Sequence, residues 1–419
     1  MKYGLMTFPG LFDNFYTNNP TKLTQRLEPS VLYVAPNKGE CVFIADNKPR
    51  NDIDVYLCSV YTRGWIEFKK FAELVGRDKI VAGGYHSTAK PEQTVKYAKK
   101  VVVGYCDNVD EILDGPEGIV KGSFGFSPMR RDLIDMKSMR QVYPDITPND
   151  VSGSMVSSVG CPFDCEFCST PNMSGRKMRV SDMEYVEREV YDLVEKGATT
   201  VFIRDESFAT NPKIKEFAPL FKDKFNVVYS FGTGNVMAKR PDIVKHLVQN
   251  GWHSLNFGLE DVGVKYKKNV ELLKATQNCQ EFGMKYVMSF IVNDDNKTKE
   301  EAKANYEALY EAFITLKPAQ VCANFLMPFP GSELWKRYED KISEDDFDKF
   351  DSKTPLFSGE LHDWHKRMIV AVQMKYYRSD EYKEVRDFEC GDNLHLRMAE
   401  LEQEFNLNDV KFENLLELE

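Results

Sequence analysis

The stretch GSMVSSVGCPFDCEFC (153–168) decides the reading of this chain. A run of small and β-branched residues ends at Val159 and passes directly into a loop where Cys161, Cys165 and Cys168 stand in C-x3-C-x2-C spacing. Thiols this close can converge on one small centre, and soft thiolates select iron–sulfur clusters or zinc over calcium or magnesium. No His, Cys or carboxylate pair nearby completes a tetrahedral zinc set, whereas a 4Fe-4S cluster on three thiolates leaves one iron open.

Downstream, TTVFIRDE (199–206), NVVYSFG (226–232), SLNFGLE (254–260), KYVMSFIV (285–292) and AQVCANFLM (319–327) read as further strands, with helical segments in every gap. Six βα units predict an open partial (β/α)6 barrel of the TIM type. In the first helix Val186, Val190, Leu193 and Val194 share one face, and Gly197 ends it. Upstream, DVYLCSV (54–60), KIVAGG (79–84) and VVVG (101–104) alternate with helical stretches, which predicts a Rossmann-like parallel α/β sheet. Trp65, Phe68, Phe71, Ala72 and Val75 recur at helical spacing before Gly76, and Pro91 opens the next helix.

These readings divide the chain into a Rossmann-like domain (1–125), a proline-containing connection (126–150), a barrel (151–340) and a C-terminal helical region (341–419). In that last region LHDWHKRMIVAVQMKYY (361–377) is amphipathic and Arg397 to Glu419 is acidic, and its helices are expected to cap the barrel. A length of 419 residues suits two or three domains. With 42% hydrophobic residues, 29% charged residues and a mean hydropathy of −0.45, a disordered or membrane-embedded chain is excluded. Acids outnumber bases 65 to 55, giving a net charge of −10 and no global field for a phosphate backbone. No leader and no apolar run of about 18 residues stands out, so a cytoplasmic location is expected. Nine cysteines, an odd count without a secretion signal, argue against a disulfide framework.

The cysteine loop, with Phe167 before its last cysteine and at the start of a six-unit βα barrel, resembles the radical S-adenosylmethionine (SAM) superfamily. The resemblance implies that Cys161, Cys165 and Cys168 hold a 4Fe-4S cluster whose open iron is chelated by the amino and carboxylate groups of SAM. One electron then splits the sulfonium to a 5'-deoxyadenosyl radical. It implies further that Arg204, Asp205 and Glu206 approach the amino end of SAM, that Glu260 holds its ribose hydroxyls, and that the carbonyls around Pro328 and Pro330 meet adenine. Charge-assisted hydrogen bonds suit carboxylates to such tasks, while a helix N-cap or a surface ion pair is the alternative for each. The widespread Gly-Gly-Glu after the second strand is absent; Arg204-Asp205-Glu206 stands there instead, as in the subclass with an N-terminal cobalamin-binding-type domain.

Residues 1–125 resemble that domain through SVYTRGW (59–65), AGGYHSTAKPE (82–92) and VVVGYCDNVDEIL (101–113). Gly83 and Gly84 at a strand end would let the backbone approach a flat macrocycle, and Ser59 would hydrogen-bond the same ligand. FPGLFDNFY (8–16) lacks an Asp-x-His-x-x-Gly segment, so cobalamin would be base-off, or the domain has kept its fold and lost the cofactor. His86 reads as a hydrogen-bonding surface group, and His362 and His365, three apart, read as a solvated helix face.

The resemblance implies an enzyme for cobalamin-dependent methylation, or other modification, of an unactivated carbon. Its partners would be a one-electron reductant such as flavodoxin or ferredoxin and an unidentified substrate, a small molecule or peptide before a nucleic acid. Two alternatives stay open. One is a methylthiotransferase with a second cluster, for which Cys58 loosely fits a ligand position; the other is a non-catalytic iron–sulfur binding or sensor protein.

Overall fold

Short apolar runs with both faces covered open the chain, the pattern that a parallel sheet flanked by helices demands. The computed structural model describes residues 1–8, 30–139, 149–261, 270–293, 298–385 and 403. The first sheet holds β1 (Lys2–Phe8), β2 (Glu40–Phe43), β3 (Val55–Val60), β4 (Ile80–Gly83), β5 (Lys100–Val103) and β6 (Gly118–Lys121). Its order is β2-β1-β3-β4-β5-β6 and every pair is parallel. β2 and β6 escape the sequence reading because they are four-residue edge strands, β6 alternating between half-buried and exposed positions.

Crossover helices α1 (Trp65–Val75), α2 (Tyr85–Ala89), α3 (Pro91–Thr94) and α4 (Val109–Asp114) cover the sheet. Trp65, Phe68, Phe71 and Ala72 of α1 are buried as their spacing predicts, whereas Val75 is only half-buried at the helix end. Phe8 meets Phe68 edge-on at 5.5 Å, and Tyr56 meets Phe71 at 5.0 Å.

After the first sheet come β7 (Ser152–Met155), β8 (Ser158–Val159), α5 (Thr170–Ser174), β9 (Arg179–Val180) and α6 (Met183–Glu195). β8 and β9 pair antiparallel and frame the cysteine loop. On α6 the buried positions are Tyr185, Val186, Glu189, Val190 and Leu193. Val194 is 42% exposed, which corrects its place on the apolar face: the buried stripe leans toward Tyr185 and Glu189 instead.

Next are β10 (Thr200–Ile203), α7 (Ile214–Phe217), β11 (Val227–Phe231), α8 (Gly234–Lys239), α9 (Pro241–Gln249), β12 (Ser254–Asp261), α10 (Val270–Phe282), β13 (Lys285–Val292), α11 (Lys299–Leu316) and β14 (Gln320–Phe325). From β10 to β14 each strand pairs in parallel with the next. α11 begins with a capping box, Thr298 with Glu301, which satisfies two otherwise orphaned N–H groups. α12 (Trp335–Tyr338), α13 (His362–Tyr377) and α14 (Asp380–Val385) complete the described elements.

By internal contacts the chain forms two compact units. One comprises residues 1–139, 151–198 and 327–351; the other comprises 140–150, 199–326 and 352–419. Within the second, α13 lies beside β14, with the Tyr377 hydroxyl accepting from the Val321 N–H at 2.8 Å and Tyr376 donating to the Pro318 carbonyl at 2.6 Å. It flanks the last strand, so the expectation of a cap over the barrel is corrected for this helix. His365 corrects the solvated-face reading: it is 1% exposed and its Nδ1 lies 3.0 Å from the Tyr306 hydroxyl on α11. The acidic segment from Arg397 lies outside the described residues, save for position 403.

Arg131 is 1% exposed and ties the segment after β6 to α6. Its guanidinium donates to Glu189 at 2.9 Å, to Asp192 at 2.8 Å and to the Ser154 carbonyl at 2.6 Å. Glu189 is itself fully buried and accepts from the Met129 N–H at 3.2 Å; its burial raises its pKa against the pull of Arg131. Arg131→Met should destabilise the protein by roughly 3 kcal/mol, because it strands a buried carboxylate. Urea unfolding checks this, and a loss under about 1 kcal/mol would mean the charge pair is inert.

Candidate active site

Cys161, Cys165 and Cys168 lie in the loop between β8 and α5. The loop is tied at both ends: the Cys161 N–H donates to the Gly175 carbonyl at 3.3 Å and the Cys168 N–H to the Cys165 carbonyl at 3.0 Å. Asp164 pairs with Arg176, and Glu166 with Arg337. Cys165 is exposed while Cys161, Phe167 and Cys168 are half-buried. Among the described residues no three His, Cys, Asp or Glu side chains are gathered closely enough to hold a metal ion, the three loop cysteines included.

Of the other described cysteines, Cys41, Cys58, Cys106 and Cys279 differ in kind, while Cys322 on β14 is half-buried. Burial pushes the Cys106 and Cys279 thiols up to about 12, and it raises Cys41 and, further still, Cys58. Such thiols stay protonated and are poor metal ligands. Three soft sulfurs on one tethered loop are the donor set that an iron–sulfur cluster takes, whereas Cys58 on β3 is buried.

At the carboxyl ends of the first sheet, where strand order reverses between β1 and β3, Ser59, Tyr61, Gly83 and Gly84 come together. The two glycines differ. Gly84 has φ +93° and ψ −175°, and a Cβ there would stand 2.8 Å from the Val60 nitrogen, so internal packing alone requires glycine. At Gly83 a Cβ would meet only Val102 at 3.7 Å, an ordinary contact. Tyr61 and Tyr85 stack beside them, ring centroids 5.9 Å apart. This aromatic pair was not read from the sequence, since it forms only when the loops after β3 and β4 meet.

His86 corrects its surface reading. It is fully buried, stacks on Trp65 at 4.4 Å, and places Nδ1 3.2 Å from the Thr62 hydroxyl and Nε2 3.2 Å from the Gln93 amide oxygen. Both ring nitrogens are occupied, so His86 offers nothing to an axial metal position. Among the described residues of this edge, the small strand-end residues and the aromatic pair would suit a flat macrocycle.

This edge touches the cysteine region. The Thr88 hydroxyl on α2 accepts from the Gly104 N–H at 3.0 Å and donates to the Met173 sulfur on α5 at 3.3 Å. α5 begins two residues after Cys168. Pro328 and Pro330 are buried in the segment after β14, where Gly331 presses so close that a Cβ would stand 2.6 Å from Asn172 of α5.

Arg204, Asp205 and Glu206 follow β10 at its carboxyl end; Arg204 and Glu206 are half-buried and Asp205 is fully buried. Full burial removes a surface ion pair as the role of Asp205. The neighbouring Ser207 hydroxyl lies 3.0 Å from that of Thr233, after β11. Glu260 lies in β12 at a register shift, opposite Phe290, and its side chain lies outside the described residues.

Residues 155–309 match the family described as the radical SAM superfamily. The chain is 24% identical over 302 residues to bacteriochlorophyllide d C-8(2)-methyltransferase of Chlorobaculum tepidum, a match covering 65% of each protein. Among solved structures it is similar to TsrM, a radical SAM methyltransferase from Kitasatospora setae with cobalamin and a 4Fe-4S cluster bound (TM-score 0.54, 15% identity, 81% of this chain and 78% of that one). It is also similar to OxsB, a cobalamin-dependent SAM radical enzyme with aqua-cobalamin bound (TM-score 0.58, 12% identity, 99% and 80%). Residues 155–309 thus resemble the radical SAM superfamily, and the chain shares the fold of TsrM and OxsB. No helix among the described residues is long and apolar enough to cross a membrane.

Burial pulls the His86 pKa down to about 4. The unfolded chain, with an ordinary imidazole, binds the extra proton between about pH 6.5 and pH 4, so this stabilisation is complete above that window and lost as pH falls through it. The difference amounts to roughly 3 kcal/mol. Unfolding of the wild type and His86→Gln at several pH values checks this: the variant should lose that much of the pH dependence, and parallel curves would refute it.

Proposed function

With that resemblance as premise, we propose that the chain is a cobalamin-dependent radical SAM enzyme that methylates or otherwise modifies an unactivated carbon of a substrate other than nucleic acid. Cys161, Cys165 and Cys168 hold the cluster, and Gly83, Ser59 and the Tyr61–Tyr85 pair receive the corrin. Bound together, the cluster, SAM and cobalamin supply a one-electron cut of the sulfonium and a transferable methyl group.

One observation carries this reading. Thr88 joins Gly104, beyond β5 at the ligand edge of the first sheet, to Met173, which follows the cysteine loop within the same compact unit. Two reactive groups must lie close to cooperate, and this contact holds their loops together. Around the cluster loop, Arg176 and Arg337 neutralise Asp164 and Glu166, limiting the negative charge beside a thiolate-bound centre. Asp205 and Glu260 are carboxylate acceptors suited to the ammonium and ribose of SAM, and the carbonyls near Pro328 and Pro330 suit the adenine amine. A reductant of the flavodoxin or ferredoxin type supplies the electron.

Oxygen-free reconstitution tests the proposal. About four irons per chain are expected, with 5'-deoxyadenosine released on adding SAM and a reductant; about eight irons would favour a methylthiotransferase, and absence of the nucleoside would sink the radical step. Alanine at Cys161, Cys165 or Cys168 should abolish the cluster, while Cys58→Ser keeps it. Gly83→Ala should leave the melting temperature unchanged but weaken hydroxocobalamin binding about tenfold or more, close to 1.4 kcal/mol. Gly84→Ala should instead destabilise the fold. Unchanged cobalamin binding in Gly83→Ala would remove that edge from the cofactor site.

A further inference from the structure

The segment after β14 returns to the first compact unit and touches it at two separate places. At one end the Leu334 N–H donates to the Glu166 carbonyl at 2.8 Å and Arg337 pairs with the Glu166 carboxylate, inside the cysteine loop. At the other end Glu344 reaches the first domain. Its carboxylate accepts from Trp65 Nε1 at 3.3 Å, from Lys69 Nζ at 2.8 Å, and from the Gln93 side-chain amide. Phe347, 4% exposed, packs edge-on against His86 with centroids 5.5 Å apart.

Between these ends the segment is internally stiff. Trp335 donates from Nε1 to Glu339 at 2.7 Å and packs near Phe347 at 6.2 Å, and Phe347 meets Phe350 at 5.7 Å. Ser343 and Asp346 form a reciprocal capping box. Lys90, just before α3, sits with its ammonium 4.5 Å from the Trp335 ring. Gln93 then links Glu344 to His86, and the His86 ring reaches Thr62 in the loop after β3. A continuous set of packed and hydrogen-bonded groups thus runs from the cysteine loop to the strand-end loops of the first sheet.

We infer that residues 331–347 act as a strap that sets the position of the cysteine loop against the ligand edge of the first sheet, with Arg337 and Glu344 as positioning residues at its two ends. The inference rests on the proposed function for its purpose, since only two cooperating cofactors need a fixed separation. Neither residue is assigned contact with a reacting atom. Coupling between the ends is reciprocal if it exists, which makes it measurable from either side.

Amide hydrogen exchange on the full chain, without cofactors, provides the test. Glu344→Ala, which alters the first-domain end, should speed exchange of residues 165–175 at least about threefold, and Arg337→Ala should do the same for residues 85–94. Exchange in β10 to β14 should stay at the wild-type rate. The double variant should show no more than the larger single effect, since breaking either end already frees the strap. Acceleration confined to the mutated end would overturn the inference. If Glu344→Ala loosens the whole protein, Glu344→Gln keeps an acceptor for Trp65 and is read by the same criterion.

A second readout uses the loaded protein. Magnetic coupling of the reduced cluster to hydroxocobalamin-derived cob(II)alamin, seen as broadening of its electron paramagnetic resonance lines, should weaken in Glu344→Ala while both groups remain bound. Unchanged broadening would count against the strap. Failure of the wild type to bind cobalamin would instead defeat the proposed function, leaving the exchange experiment to decide the strap.

Discussion

The approach of Gly84 to the backbone of Val60 is the constraint on which the candidate site rests. Only a residue without Cβ fits there, and only glycine holds that φ, ψ pair cheaply. The turn it makes sends α2 back across the carboxyl edge of the sheet, which buries His86 against Trp65 and brings Thr88 to Met173. Through Met173 the same turn reaches the helix that follows the cysteine loop. A single steric requirement at a strand end is therefore felt beside the sulfurs, some eighty residues later in the chain.

Desolvation sorts the thiols. Those at Cys58 and Cys279 are buried and held protonated, while in the loop Cys165 is exposed and Cys161 and Cys168 are half-buried. A buried thiolate without a counter-charge would cost several kcal/mol, so the chain keeps its core cysteines inert by position alone. Where sulfur meets water thus separates the core cysteines Cys58 and Cys279 from the loop cysteines as much as the spacing between cysteines does.

Much of this was legible in the sequence because it depends on local pattern. The strands at 55–60, 80–83, 100–103 and 200–325 stand where β-branched runs predict them, and the C-x3-C-x2-C spacing marks the loop directly. What escaped depends on distant partners. β2 and β6 are too short for periodicity to register, and His86 looks like a loop histidine until α1 and α3 close around it. Glu344, hundreds of residues from Lys69 and Trp65, reads as one acid among many in an acidic stretch. The two glycines at 83 and 84 look alike in sequence, yet one serves internal packing and the other leaves space, a difference only the neighbouring strand reveals.

The placement of Tyr377 beside β14 bears on the outer margin of that sheet. Its hydroxyl accepts from the Val321 N–H and also donates to the Val321 carbonyl at 3.4 Å, so both polar groups of that residue are occupied. An outer strand with free amides is a template for another polypeptide. With the phenol seated there, the Val321 backbone presents no open amide to an added strand.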